Sequence, residues 1–252
     1  MARKKYTFAQ QQCIRAAGRL SQETGMLEPN ARVGIAVSGG MDSFVLLEVM
    51  RIRQGIVPFP FSIMALHVNA GFDAHSHAPL ASWLEKKGIA GHLEITDHGP
   101  RAHSPENRKA SACFYCAMLR RKRLFELCAQ YKLSHLAFGH TADDLVTTFF
   151  MNLCQNGRVD GMTMCEPFFN GKLMVIRPLM LVEKPTIAKA AKAWKLPVWK
   201  NPCPSSGTTR RTSILEDIDR LCDGQKGMRA KITAGLCRWQ FGLTRKDAED
   251  NF

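Results

Sequence analysis

Apolar residues recur along the chain with two different periods. Short, nearly continuous apolar runs read as strands buried on both faces: "RVGIAVS" (32–38), "FSIMALHVN" (61–69), "GHLEIT" (91–96), "LSHLAFGH" (133–140) and "LMVIRPL" (173–179). Between them, apolar positions three and four apart predict helices. These are "TFAQQQCIRAAGRLSQETG" (7–25), ended by Gly25, "DSFVLLEVMRIRQ" (42–54), and "PLASWLEKKG" (79–88), stopped by Gly88. "YCAMLRRKRLFELCAQYK" (115–132), "ADDLVTTFFMNLCQN" (142–156) and "KPTIAKAAKAWK" (184–195) follow, the last with Pro185 acceptable in its first turn. Residues 97–111 and 157–173 carry turn residues and read as irregular, and two more helical segments follow the loop "NPCPSSGTTRR". There is no internal repeat.

Strands alternating with helices predict an α/β fold of the Rossmann-like kind, a mostly parallel sheet with helices on both faces. The expected organisation is an N-terminal helix over 1–30, the sheet domain over 31–200, and a cysteine loop with C-terminal helices over 201–252 packed on that domain. Ligands of such sheets bind beyond the carboxyl ends of the strands. That rule singles out Ser38–Ser43, His67–Phe72 and Gly139–Asp144.

Composition narrows the classes. Lys and Arg number 35 against 22 Asp and Glu, a formal charge of +13, which favours a polyanionic partner such as nucleic acid. No run of about 18 apolar residues exists, and the N-terminus lacks an apolar signal core, so no membrane span and a cytoplasmic location are expected. In a reducing compartment nine cysteines point to metal or redox work rather than a disulfide framework.

"VGIAVSGGMDSFVLL" is a strand, a glycine turn and a helix. Gly39 and Gly40 let backbone N–H groups converge on an anion at a helix N-terminus. Ser38 and Ser43 add hydroxyls, and Asp42 has the chemistry to hold magnesium. On spacing alone the same residues also suit a plain helix cap. No lysine follows the glycines, so this is not a Walker A loop. Cys113 and Cys116 have ligand spacing, and Cys203 lies 90 positions after Cys113 in a proline-rich loop. Three thiolates suit an iron–sulfur cluster with one open site, whereas structural zinc usually takes four ligands. In "GHTADD", Thr141 and Asp144 have capping-box spacing, so Asp144 reads either as a cap or as a ligand. The block Arg120, Arg121, Lys122 and Arg123 reads either as a solvated face or as a phosphate and RNA contact. By helical geometry Arg120 and Arg123 share one face, assigned to RNA, while Arg121 or Lys122 faces ATP phosphates.

Ser38-Gly39-Gly40-Met41-Asp42-Ser43 resembles the PP-loop of the ATP pyrophosphatases. With "CFYCAMLRR", "LAFGHTADD", "GMTMCEPFFNGKLMVIRPL" and "NPCPSS", the stretch from Arg32 to Leu221 resembles the tRNA 2-thiocytidine biosynthesis (TtcA-type) family. The resemblance implies an ATP-dependent, magnesium-dependent sulfurtransferase acting on C2 of a cytidine in the tRNA anticodon loop. It implies a 4Fe-4S cluster on Cys113, Cys116 and Cys203, and ATP bound around Ser38, Gly39, Gly40, Asp42 and Ser43. It adds the backbone of His67 and Val68 at the adenine, and Gly139, His140 and Asp143 or Asp144 beside the nucleotide. Expected partners are tRNA, a sulfur donor such as a cysteine desulfurase, and a second copy in a homodimer. Two departures stand out: "HVNAGF" replaces a longer stretch after the second strand, and after Cys203 a serine stands where the family's loop has a second cysteine. The competing readings are a 2-thiouridine synthase, a lysidine synthetase, which has no need of the three cysteines, and a non-catalytic metal-containing RNA-binding protein, which leaves "SGGMDS" without a role.

Overall fold

A computed structural model describes residues 5–108, 111–200, 202–205, 210–223, 225 and 227–242. The elements run α1 (Phe8–Thr24), β1 (Arg32–Ala36), α2 (Met41–Arg53), β2 (Ser62–Asn69), α3 (Ala78–Lys87), β3 (Gly91–Ile95), α4 (His98–Ala102), α5 (Ala112–Gln130), β4 (His135–Ala137), α6 (Ala142–Asn156), β5 (Cys165–Phe168), β6 (Leu173–Ile176), α7 (Lys184–Trp194), α8 (Arg210–Cys222) and α9 (Met228–Phe241).

The strands form one sheet in the order β3-β2-β1-β4-β6-β5. All neighbours are parallel except β5, which pairs antiparallel to β6. From β1 the chain winds outward through β2 to β3, then returns to β4 and winds the other way. The reversal opens a crevice beyond the carboxyl ends of β1 and β4.

Alternation along the strands divides the core into two layers. Val33 and Ile35 of β1 pack with Phe44 and Leu47 of α2, Ile187 of α7 and Leu20 of α1. Leu66 and Val68 of β2, Leu136 of β4 and Val175 of β6 pack with Leu124 and Leu127 of α5 on the opposite face. Each such side chain contributes about 1.5–3 kcal/mol by leaving water.

Two segments differ from the sequence expectation. The stretch read as irregular over 157–173 contains β5, whose Pro167 stands opposite Met174. Proline lacks an N–H, but an edge strand leaves half of its polar groups unpaired in any case. The expected loop over 97–111 contains the single turn of α4, too short to show a helical period.

Candidate active site

The glycine turn lies in the crevice. Gly39 has φ 92°, open to glycine, and a Cβ there would meet the Trp199 ring at 2.4 Å. Trp199 also donates its backbone N–H to Gly39 O at 3.2 Å. Ser43 Oγ donates to Gly40 O at 2.8 Å and accepts from Ser38 N at 3.1 Å, closing the turn. Neither Asp42 nor Ser43 caps α2, whose N-cap is Gly40 with no side-chain cap bond. Asp42 is therefore released from that structural duty. Its Oδ1 is buried with no hydrogen-bond partner among the described residues. Burial pushes its carboxyl up to about 6, with Lys184 opposing and Asp144 and Asp143 adding to the rise.

The loop after β4 closes against this turn. A Cβ at Gly139 would meet the Asp42 carbonyl at 2.9 Å, so only glycine allows the two loops this approach. Thr141 and Asp144 form the capping box at the start of α6: Asp144 Oδ2 accepts from Thr141 N at 2.8 Å and from its hydroxyl at 3.0 Å. Asp144 Oδ1 also takes Arg211 of α8. Burial works against the Asp144 charge, but Arg211, Lys184 and the Thr141 N–H outweigh it, leaving the carboxyl below the usual range. Asp143 turns elsewhere, accepting from Arg229 of α9 at 2.7 Å and from Lys184 N at 2.7 Å. His140 sits between these loops with its Nδ1 unpartnered among the described residues, and burial pulls its pKa down to about 4.

A cavity of about 340 Å³ joins these groups. Val37, Ser38, Asp42, Ser43, Val68, Gly139, His140 and Asp144 line one side, and Ala117, Arg120, Arg121 and Leu124 of α5 line the other. The four α5 residues follow i, i+3, i+4, i+7, one helical face. Of the two acidic candidates, Asp144 reaches the cavity. His67 does not line it: its Nδ1 donates to Val37 O at 2.7 Å, its ring packs on Trp199, and burial lowers its pKa to about 4.

This helical face corrects the expected division of the basic block. Arg120, expected to share an RNA-facing side with Arg123, turns inward to the cavity, and its Nε is buried with no partner among the described residues. Arg123 is engaged by Glu94 of β3 at 2.6 and 2.8 Å and by Glu126 at 3.1 Å. Lys122 lines a different hollow, on the flank of α5 away from the glycine turn. Arg121 borders both spaces. The helix is rotated about its axis relative to the expectation, because Leu124, Leu127 and Cys128 must face the sheet.

Cys113 and Cys116 occupy the first turns of α5, and Cys203 follows Trp199 in the loop that reaches Gly39. All three thiols are part-exposed. Burial raises the Cys116 thiol, Arg120 lowers it, and the charges of Cys203 and Cys113 raise it again. Arg120 likewise feels both Cys116 and Cys203. Cys116 and Cys203 thus lie within electrostatic reach of the same guanidinium. No three His, Cys, Asp or Glu side chains among the described residues converge on one ion. Cys13, Cys128 and Cys237 are buried core thiols, the first two with pKa values raised to about 12 by burial.

Sequence reasoning missed Arg211, Arg229 and Lys184. Their partners Asp143 and Asp144 were visible, but a pair 67 or 86 residues apart leaves no local period.

A model of the PP-loop domain matches residues 10–218. The tRNA-cytidine(32) 2-sulfurtransferase of Geobacter sulfurreducens is 33% identical over 210 residues, covering 81% of this chain and 82% of that protein. The enzyme of the same name from Sodalis glossinidius is 32% identical over 225 residues, covering 86% of this chain and 62% of its relative. The U34-tRNA thiolase NcsA from Methanococcus maripaludis, solved with its 4Fe-4S cluster, shares the fold at a TM-score of 0.73, with 21% identity over 94% of this chain and 81% of that one. The chain therefore belongs to the PP-loop family and, within it, to the group of the tRNA-cytidine(32) 2-sulfurtransferases.

Proposed function

We propose that the protein is an ATP-dependent tRNA sulfurtransferase that adenylates and then thiolates C2 of a cytidine in the anticodon loop, position 32 in its named relatives. The observation that supports this is the placement of Arg120, which lines the PP-loop cavity one helical turn after Cys116 and lies within electrostatic reach of Cys203. The nucleotide cavity and two of the three proposed sulfur ligands share helix α5.

ATP is bound in this reading by the glycine turn, with its phosphates facing the N–H groups of Gly39 and Gly40 and the α2 N-terminus. Asp42 would hold magnesium with the oxygen that lacks a partner, and Asp144 borders the same cavity from α6. Val68 borders the base. Arg121 balances charge on the phosphates, and pyrophosphate departs as cytidine O2 takes the adenylyl group. A sulfur nucleophile then attacks C2, and AMP leaves with the former O2. Cys113, Cys116 and Cys203 would hold a 4Fe-4S cluster: three part-exposed thiols with no pairing disulfide, Cys116 lying within electrostatic reach of the other two. Such a cluster, when bound, supplies an open iron able to carry sulfur. Arg120 stabilises the thiolates from the nucleotide side.

The sulfur donor is a persulfide source, for which a cysteine desulfurase is the fitting class, with a thiol reductant supplying the two electrons that cleave the S–S bond, and the protein acts as a homodimer in the cytoplasm. No described helix is long and apolar enough to cross a membrane. The experiment is thiolation of unmodified tRNA by anaerobically reconstituted protein, read by nucleoside mass spectrometry. Formation of 2-thiocytidine that needs ATP supports the reading. Thiolated uridine, a lysine adduct or no product in the presence of an intact cluster contradicts it.

A further inference from the structure

On the flank of α5 away from the glycine turn lies a second, larger space. It is a hollow of about 920 Å³ between α5, the segment leading into β4 and the β5–β6 turn. Its floor is apolar and includes Leu133 and Leu173, and three phenylalanines stand together on its wall. Phe125 of α5 meets Phe168 at 5.2 Å and Phe169 at 5.4 Å between ring centroids. Phe169 is 57% exposed. It also adopts φ 53° in the turn, a conformation that a bulky side chain rarely takes. Asn170 and Gly171 beside it tolerate that region; Phe169 does not gain from it locally. The strained turn holds an aromatic ring out over the hollow.

The rim is cationic. Arg121, Lys122, Lys132 and Lys172 border it, and its one carboxylate, Glu126, is already engaged by Arg123 at 3.1 Å. From Met118 to Ala129 the helical wall runs about 17 Å at roughly 1.5 Å per residue.

We propose that this hollow is a docking groove for single-stranded nucleotides of the tRNA flanking the reacting cytidine, with bases stacked on the phenylalanines and phosphates on the cationic rim. The proposal rests on the tRNA reading above and adds to it the surface used. Aromatic platforms edged by cations are how proteins hold unstacked RNA. Arg121 borders both this groove and the nucleotide cavity, so a strand lying in the groove is led to the adenylation site. A second copy of the chain is the competing occupant. A two-fold contact here would bring two four-cation rims together with only paired Glu126 residues between them, in a chain of net charge +13. That charge pattern favours a polyanion.

The test is filter binding of unmodified tRNA across a salt series. It compares wild-type protein with Phe169→Ser and with the double variant Lys132→Glu, Lys172→Glu. ATP binding and sedimentation velocity are measured on the same preparations. Each lost phosphate contact lowers the magnitude of the log–log salt slope by about 0.7–0.9. The charge variant is expected to bind tRNA at least about tenfold more weakly, with the slope reduced by roughly 1.5. Phe169→Ser is expected to weaken binding with an unchanged slope, and both should bind ATP as wild type does. Unchanged tRNA affinity and slope in both variants overturns the groove while leaving the tRNA reading intact. Dissociation of a wild-type dimer by the variants, with tRNA affinity kept, also overturns it and assigns the groove to a second copy. Failure of the wild-type protein itself to bind tRNA overturns the tRNA reading and the groove together.

Discussion

Asp42 projects a carboxylate into the cavity with one oxygen that no donor among the described residues reaches, and burial lifts its pKa from 3.8 to about 6. A raised folded-state pKa means that the folded protein holds this proton more tightly than the unfolded chain. The sign follows: no stability is lost below about pH 4, and the cost of ionising the buried group grows between about pH 4 and 6 and is complete above that. Two pKa units correspond to about 3 kcal/mol, and partial exposure of the side chain brings the expected cost to about 1–3 kcal/mol. Asp42→Asn keeps the shape and removes the charge. Above pH 6 it should therefore raise the melting temperature by about 2–10 °C for a chain of this size, and below pH 4 it should change nothing. In its proposed role the same carboxylate holds magnesium, so ATP–pyrophosphate exchange with tRNA should fall at least roughly 100-fold. Thermal unfolding at pH 4 and pH 8, with exchange measured at pH 8, reads both effects. A variant less stable than wild type at pH 8, or one that keeps its exchange activity, refutes the assignment.

Three further outcomes follow from the other groups of the site. Asp144→Ala removes the α6 capping box and leaves Arg211 without its partner, so it should cost about 1–3 kcal/mol at pH 7 in urea unfolding. Its carboxyl has a lowered pKa, so that loss should shrink as pH falls below about 4, where the wild-type contribution disappears. Arg120→Ala and Arg123→Ala should both leave the salt slope of tRNA binding unchanged, because one side chain faces the cavity and the other is held by Glu94; a slope reduced by about 0.7–0.9 in either variant would put that residue on a phosphate. Cys203→Ser should keep the far-ultraviolet circular dichroism spectrum of the wild type and lose most of its iron after anaerobic reconstitution, and retention of full iron content would remove Cys203 from the ligand set.

What could be read from the chain depended on the range of the signal. The glycine turn, the capping box and the C-x-x-C pair are local patterns, and each lies where strand, turn and helix chemistry puts it. Thr141 and Asp144 illustrate how two readings of one pattern both hold: Asp144 caps α6 and faces the cavity at once. The rotation of α5 was not legible, since its basic residues crowd every face from 120 to 123 and only the packing of Leu124 and Leu127 against the sheet decides which turn inward. Nor was β5, whose Pro167 and short length mask an edge strand. The clamps Arg211–Asp144 and Arg229–Asp143 depend on helices brought back across the site by tertiary packing, which no local period encodes.

The proposed coupling of adenylation at the PP-loop to sulfur transfer is tested most directly by stoichiometry. Anaerobically reconstituted protein, tRNA, ATP and a sulfur donor are incubated, and AMP and 2-thiocytidine are quantified in the same samples. One AMP for each 2-thiocytidine, with neither product formed when Asp42 is replaced by Asn, is the predicted result. 2-Thiocytidine formed without AMP, or AMP formed in step with a different nucleoside, would contradict a shared site for adenylation and sulfur transfer.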